Sequence, residues 1–147
     1  MTIKQLNIQL ENQPGRLRKV SEAMASAGVD IYAMTVSEHA GAGVFRLLVS
    51  DIDVARNVIM DTQMSASVDE VIAFRIPDDR GSLARLLQPI SEQAINIVYM
   101  YAFTCGAGHA VAVFRFGEPE RAIGALREHG FEPTDLAGLF DASGADR

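Results

Sequence analysis

The chain has 147 residues, of which 48% are hydrophobic and 22% charged, and its formal net charge is −6. This composition is typical of a globular protein and excludes a disordered or fibrous one. No apolar run approaches the ~20 residues of a membrane helix, the N-terminus has no signal-peptide layout, and an acidic chain is a poor partner for phosphate backbones. We therefore expect a cytoplasmic protein with neither a membrane nor a nucleic acid as its partner.

The first half of the chain predicts the order strand, helix, strand, strand, helix, strand. Apolar residues recur at helical spacing at Leu17, Val20 and Met24, and Gly28 is a natural helix stop. Asp51 is placed to cap the second helix. The predicted strands are 3–10, 29–38, 44–50 and 64–68, and the predicted helices are 16–27 and 51–60.

The second half predicts the same order. Pro119 lies near the start of its second helix, where a missing N–H costs nothing, and Gly130 ends that helix. The predicted strands are 71–76, 95–104, 110–116 and a short one from Phe131, and the predicted helices are 81–93 and 119–129. One further turn is expected after Leu136, followed by a frayed end.

The two halves are copies of one unit. Gly15 and Gly81 are 66 residues apart, and Asp30 and Asn96 are separated by the same 66 residues. A repeat of this size is a supersecondary unit, and the element order is that of ferredoxin-like folds. The sequence therefore predicts an α+β protein of two ferredoxin-like βαββαβ units packed side by side, each an antiparallel sheet with helices on one face. The predicted domains are 1–69 and 70–136, with a tail over 137–147.

Two pairs of stretches resemble the ACT domain, a small regulatory module that binds amino acids. The first pair is Glu11–Leu17 with Gly28–Ile31, and the second is Pro77–Leu83 with Ala94–Ile97. The resemblance covers roughly residues 3–136. It implies a regulatory or sensor protein that binds a small L-amino acid, without catalytic activity or a cofactor of its own. The resemblance also implies a homodimer.

A glycine at a strand-to-helix turn lets backbone N–H groups approach a ligand closely, and a helix N-terminus favours a carboxylate. A carboxylate or amide on a facing strand can accept hydrogen bonds from an ammonium group. In ACT domains the ligand lies between the first loop of one unit and the second strand of its neighbour. The residues that this implies are Asn12, Gln13, Gly15, Arg16, Leu17 and Asp30 in the first copy, and Asp79, Gly81, Ser82, Leu83 and Asn96 in the second. Tyr99, on an aromatic face of the strand that follows Asn96, is a further candidate for lining the pocket.

Purely structural roles stay open for several of these residues. For Gly15 and Gly81 the alternative to ligand binding is a role in the turn alone. For Asp30 and Asn96 it is capping of the turn before the strand. Alternation places Tyr99 on one strand face with two further aromatic residues, where packing is an alternative to lining a pocket. The two copies differ in sequence. This difference is compatible with two sites of unequal affinity and also with one working and one vestigial site.

Other functions have less support. A regulatory subunit of an amino-acid biosynthetic enzyme, similar to the small subunit of acetolactate synthase, is the main alternative and requires a separately encoded enzyme. An acylphosphatase-like enzyme would use an arginine in the first loop, for which Arg16 is a loose match, and an asparagine that is missing. Ser82 has no partnered histidine and acid for nucleophilic catalysis. The single Cys105 and three scattered histidines predict no metal site.

Overall fold

The computed structural model describes residues 1–11 and 13–140. Asn12 and the tail segment 141–147 lie outside the described residues. The strands are Ile3–Glu11 (β1), Ile31–His39 (β2), Ala42–Val49 (β3), Ser65–Pro77 (β4), Ile97–Thr104 (β5), His109–Phe116 (β6) and Pro133–Thr134 (β7). The helices are Arg16–Ser26 (α1), Ile52–Asp61 (α2), Ser82–Glu92 (α3), Pro119–Glu128 (α4) and Leu136–Phe140 (α5). The predicted α+β fold with βαββαβ repeats and antiparallel sheets is confirmed.

The chain folds into two compact units, and the first unit comprises Lys4–Asp69. In its sheet β3 pairs antiparallel with β1 on one side and with β2 on the other. Apolar residues of α1 and α2 pack with inward-facing residues of β1 and β3, so both helices lie on one face of the sheet. This core contains Leu6, Ile8, Val20, Met24, Val29, Phe45, Leu47, Val49, Ala55, Ile59 and Met64.

The second unit begins at Glu70 and includes Met1–Ile3. Its sheet has the order β7-β4-β6-β5, and every pair is antiparallel. Its helices α3 and α4 also pack on one sheet face, and three phenylalanines give this core an aromatic centre. The core contains Ile72, Phe74, Ile76, Leu86, Ile90, Ile95, Ala112, Phe114, Phe116, Ala122, Ile123, Ala125 and Leu126.

Local sequence signals account for most element ends. The Asp51 carboxylate caps α2 by accepting a hydrogen bond from the Val54 N–H at 3.1 Å. Gly28 follows α1 with φ of +71°, the left-handed conformation in which glycine carries no steric penalty. Pro119 is the first residue of α4, where its fixed φ suits the helix.

Several predicted boundaries differ from the structure by one or two residues, and two differences have a clear physical reason. The strands predicted over 64–68 and 71–76 form one continuous strand, β4, because no glycine or proline interrupts the chain at Asp69 and Glu70. The last strand begins at Pro133 rather than Phe131, since the Phe131 N–H still bonds back to the Leu126 carbonyl of α4 at 2.9 Å. No helix of residues 1–11 and 13–140 is long and apolar enough to cross a bilayer.

Candidate ligand-binding site

The loop between β1 and α1 ends in a glycine that caps the N-terminus of the helix. Gly15 is the N-cap residue of α1, with φ of +87° and ψ of −10°. The Arg16 N–H bonds to the Gln13 carbonyl at 3.2 Å and the Lys19 N–H to the Gly15 carbonyl at 3.0 Å, which fixes the first turn. Because glycine has no side chain, the cap residue leaves the next N–H groups of the first turn, those of Leu17 and Arg18, without a side-chain cap. Nothing lies within 4 Å of where a Cβ of Gly15 would stand.

A cavity of about 430 Å³ opens beside this helix start. Its volume is within the ~300–1,000 Å³ that is typical of small-molecule sites. Leu17 and Val36 contribute exposed apolar surface, with 40% and 50% of their areas accessible, and Val36 pairs across the sheet with the buried Phe45. The lining residues are Gln13, Pro14, Gly15, Leu17, Val36 and Phe45. One wall is thus apolar and the other consists of loop backbone and an amide side chain.

The corresponding loop of the second unit has the same backbone but different chemistry. Gly81 caps α3 with φ of +87° and ψ of −7°. The Ser82 hydroxyl donates to the Asp79 carboxylate, and Nη2 of Arg85 donates to the same Asp79 oxygen at 3.0 Å and to Oγ of Ser82 at 3.0 Å. The hydrogen bonds from Ser82 and Arg85 lower the pKa of Asp79 below its ordinary value of 3.8. Ser82 is buried, whereas Asp79 and Arg85 are exposed.

The predicted strand residues do not join these loops within their own units. Asp30 directly precedes β2, and its backbone is tied to Ser50, whose N–H bonds to the Asp30 carbonyl at 3.0 Å. Val36 follows six residues later in the strand, which is a distance of about 20 Å at the rise of extended chain. Asn96 holds the same position before β5, with its carbonyl accepting from the Gly117 N–H at 2.9 Å. Neither residue therefore reaches the loop of its own unit.

Three further predicted residues do not line the cavity beside Gly15. Arg16 is half-buried at the start of α1 but does not line the cavity. Leu83 is exposed on α3, as its counterpart Leu17 is on α1. Tyr99 pairs with Arg115, on the face of β5 opposite to Met100, which packs against the helix-covered core. The structure therefore gathers Gln13, Gly15 and Leu17 around one cavity and leaves the other described candidates outside it.

The family description "ACT domain pair" matches residues 1–132 of the chain. The match covers both copies of the repeat and both glycine-capped loops. The chain belongs to the ACT domain pair family. A search of curated proteins found no match.

Solved structures agree with this assignment. Protein BT0572 of Bacteroides thetaiotaomicron is 31% identical to this ACT pair, with a TM-score of 0.88, over 95% of this chain and 96% of the other. The regulatory subunit of aspartate kinase from Thermus flavus is 15% identical, with a TM-score of 0.59, over 85% of this chain and 90% of the other. The ligand-free subunit from Thermus thermophilus is 17% identical, with a TM-score of 0.59, over 86% and 90%. At these identities the two aspartate kinase subunits share the fold.

The sequence interpretation missed two walls of the cavity in this ACT pair. Val36 and Phe45 lie on neighbouring strands, and only the pairing register brings them together beneath the α1 N-terminus. Val36 carried a usable signal, since it is an apolar residue in the polar second half of its strand, Thr35 to His39. Pro14 lies within the stretch Glu11–Leu17 that resembles an ACT domain, was not among the candidate residues, and also lines the cavity.

A larger concavity, of about 530 Å³, lies between the end of β1 and the β2–β3 hairpin. Its lining includes Gln9, Leu10, Glu11 and Val44 but none of the predicted site residues. None of its lining residues belongs to a helix, and four of them are Ala40, Gly41, Ala42 and Gly43 at the β2–β3 turn. We therefore regard the smaller cavity, which combines a helix start with an apolar wall, as the candidate site.

Proposed function

We propose that this ACT domain pair is a regulatory protein that binds a small L-amino acid at the loop of its first unit, without catalytic activity of its own. The observation that carries the proposal is the cavity between the glycine-capped start of α1 and the apolar wall formed by Leu17, Val36 and Phe45. A free amino acid has one charged end and a side chain of variable polarity, and the cavity offers a complementary surface for each.

The ligand carboxylate lies at the start of α1 in this proposal. The Leu17 and Arg18 N–H groups, which no side chain caps, and the helix dipole stabilise a negative charge there, by about 0.3–1 kcal/mol for the dipole alone. The first turn contains no acidic residue that would oppose it. Lys19, on the same turn, adds a positive charge.

The ligand ammonium is assigned to the side chain of Gln13. Its Nε2 donates to Oε2 of Glu11 at 3.0 Å, so the amide oxygen is left as the acceptor at the cavity. The ligand side chain lies against Leu17, Val36 and Phe45, which favours a small or apolar amino acid.

Asp30 contributes to such a site only from a second copy of the chain, because it is about 20 Å from Val36 along its own strand. We propose a homodimer, as the resemblance to ACT domains implies. The exposed apolar residues Tyr32, Met34 and Val36 of β2 support it, since their exposed fractions are 37%, 37% and 50%. A separately encoded enzyme that reads the ligand signal stays a prediction.

A thermal-shift screen against the twenty amino acids tests the binding proposal. Ligand at 100 times its dissociation constant stabilises the folded state by about 2.7 kcal/mol. For a chain of this length we expect the unfolding midpoint to rise by about 5–10 °C for one amino acid or a related group. A screen in which no amino acid shifts the midpoint would contradict the proposal.

The location of the site is tested with Val36→Glu, and Val98→Glu is the matched control. Both valines are about half exposed on β2 and β5, with 50% and 54% of their areas accessible, so each substitution adds the same charge to a similar place. The new carboxylate at position 36 repels the ligand carboxylate and removes apolar contact, so we expect at least a tenfold loss of affinity by calorimetry. Val98→Glu should bind as the unaltered protein does. Equal affinities of the two variants would exclude the cavity as the site.

A further inference from the structure

The two loops differ at three aligned positions that surround the helix start. At the repeat spacing of 66 residues, Gln13 corresponds to Asp79 and Lys19 to Arg85. The third pair is Arg16 with Ser82. In the second unit these side chains form a closed ring of hydrogen bonds, in which Arg85 and Ser82 both donate to one oxygen of Asp79. In the first unit no carboxylate occupies the corresponding position.

The space over the capping glycine differs in the same way. An added Cβ at Gly81 would lie 3.3 Å from Nη1 of Arg85, whereas an added Cβ at Gly15 would meet nothing within 4 Å. The two glycines have the same φ of +87°, so the difference comes from the side chains and not from the backbone. The Arg85 guanidinium that lies over Gly81 is the same group that donates a hydrogen bond to the Asp79 carboxylate.

We propose that the Asp79 carboxylate closes the loop of the second unit to external carboxylates, because it already occupies the Arg85 guanidinium and the Ser82 hydroxyl beside the helix start and repels a second negative charge there. It follows that each chain binds one amino acid, and this consequence rests on the proposed function. The reason is competition. Asp79 is tethered next to Arg85 and Ser82, and a tethered group acts at an effective concentration that a free ligand must exceed.

Acetate tests the closure directly, because it carries the same carboxylate and needs no knowledge of the natural ligand. In Asp79→Ala, the guanidinium of Arg85 and the hydroxyl of Ser82 lose their shared acceptor, and acetate can take its place. We expect sodium acetate, compared with sodium chloride at equal ionic strength, to raise the unfolding midpoint of this variant by about 1–2 °C near its dissociation constant.

Asp78→Ala is the matched control, since it removes the same charge from the neighbouring exposed residue of the same loop. We expect neither Asp78→Ala nor the unaltered protein to respond specifically to acetate. If Asp79→Ala responds to acetate no more than Asp78→Ala does, the closure is wrong. A double variant, Asp79→Ala with Arg85→Ala, should lose the acetate response, and its persistence would likewise overturn the assignment.

The stoichiometry of amino-acid binding provides the second readout. Calorimetry with the amino acid found in the screen should give one site per chain, and two equivalent sites per chain would contradict the closure. If no amino acid binds, the proposed function fails, yet the acetate comparison still decides whether Asp79 closes the second loop. The two failures are therefore distinguishable.

Discussion

The two units of this ACT domain pair share a backbone but not a surface chemistry. Gly15 and Gly81 both cap a helix at φ of +87°, with ψ of −10° and −7°. Beside Gly15 lies a cavity with an apolar wall, whereas beside Gly81 an aspartate, a serine and an arginine bond to one another. The comparison shows that the two capping glycines give the loops the same geometry, and we propose that the next few side chains decide whether a loop is open to a ligand.

The cores of the two units differ as well. Leu47 in the first unit and Phe114 in the second occupy equivalent positions, since each lies opposite the aligned methionine of its second strand. Phe114 makes an edge contact with Phe74 at 6.2 Å between ring centroids and stacks on Phe116 at 4.9 Å. The first unit fills the same layer with aliphatic residues around Phe45. The second core is therefore expected to depend more strongly on a single side chain.

The largest expected effect comes from truncating these two residues. Phe114→Ala should lower the free energy of unfolding by about 3–5 kcal/mol, because it leaves a cavity in a core where the side chain is fully buried. Leu47 is also fully buried, and we expect Leu47→Ala to lower the free energy of unfolding by about 1 kcal/mol less than Phe114→Ala does. The reason is that aromatic pairs contribute about 0.5–1.5 kcal/mol beyond their buried area. Urea denaturation of both variants measures the difference. Equal losses would show that the aromatic contacts contribute nothing beyond their area.

A smaller effect is expected where α1 and α3 end. Gly28 follows α1 at φ of +71°, but the aligned residue after α3 is Ala94, at φ of +52°. An alanine in the left-handed region carries a steric cost that glycine avoids, partly offset by the greater flexibility of glycine in the unfolded chain. We expect Ala94→Gly to stabilise the protein by about 0.5–1 kcal/mol and Gly28→Ala to destabilise it similarly. Thermal unfolding of the pair tests this, and destabilisation by Ala94→Gly would contradict it.

The fold was predictable because local signals agreed with the repeat. Apolar periodicity, Asp51 as a cap and Gly28 as a stop all act within a few residues along the chain, and each predicted element is present. The continuous strand β4 was not predicted, because the repeat placed the boundary between the two units at Asp69 and Glu70, although neither residue breaks a strand. Element ends that depend on steric constraints were thus easier to predict than ends that depend on pairing.

The site was predictable only in part. Gln13, Gly15 and Leu17 lie in one short segment, so a sequence motif gathers them, and the structure places them around one cavity. Val36 and Phe45 join them through strand register, which no local pattern fixes. The pairing of Asp79 with Arg85 depends on how the loop folds over the helix start, and six residues separate the two.

The smallest expected effect is the pH dependence that Asp79 confers on the second unit. Hydrogen bonds from Ser82 and Arg85 lower its pKa below the ordinary value of 3.8. A carboxyl whose pKa is lower in the folded state stabilises the fold above its unfolded pKa, and this contribution is lost as the pH falls through the folded pKa.

Asp79→Asn should therefore have a slightly lower unfolding midpoint than the unaltered protein at neutral pH, and the difference should shrink as the pH falls below about 3.8 towards the lowered pKa of Asp79. Asp78→Asn, in the same loop, controls for the change in net charge. Thermal unfolding from pH 7 to pH 2.5 measures both differences, and salt should weaken the effect because Asp79 and Arg85 are exposed. A difference for Asp79→Asn that persisted unchanged at pH 2.5 would mean that the ionised carboxylate is not what holds the second loop. The contrast between the open and the closed loop would then have to rest on Ser82 and Arg85 alone.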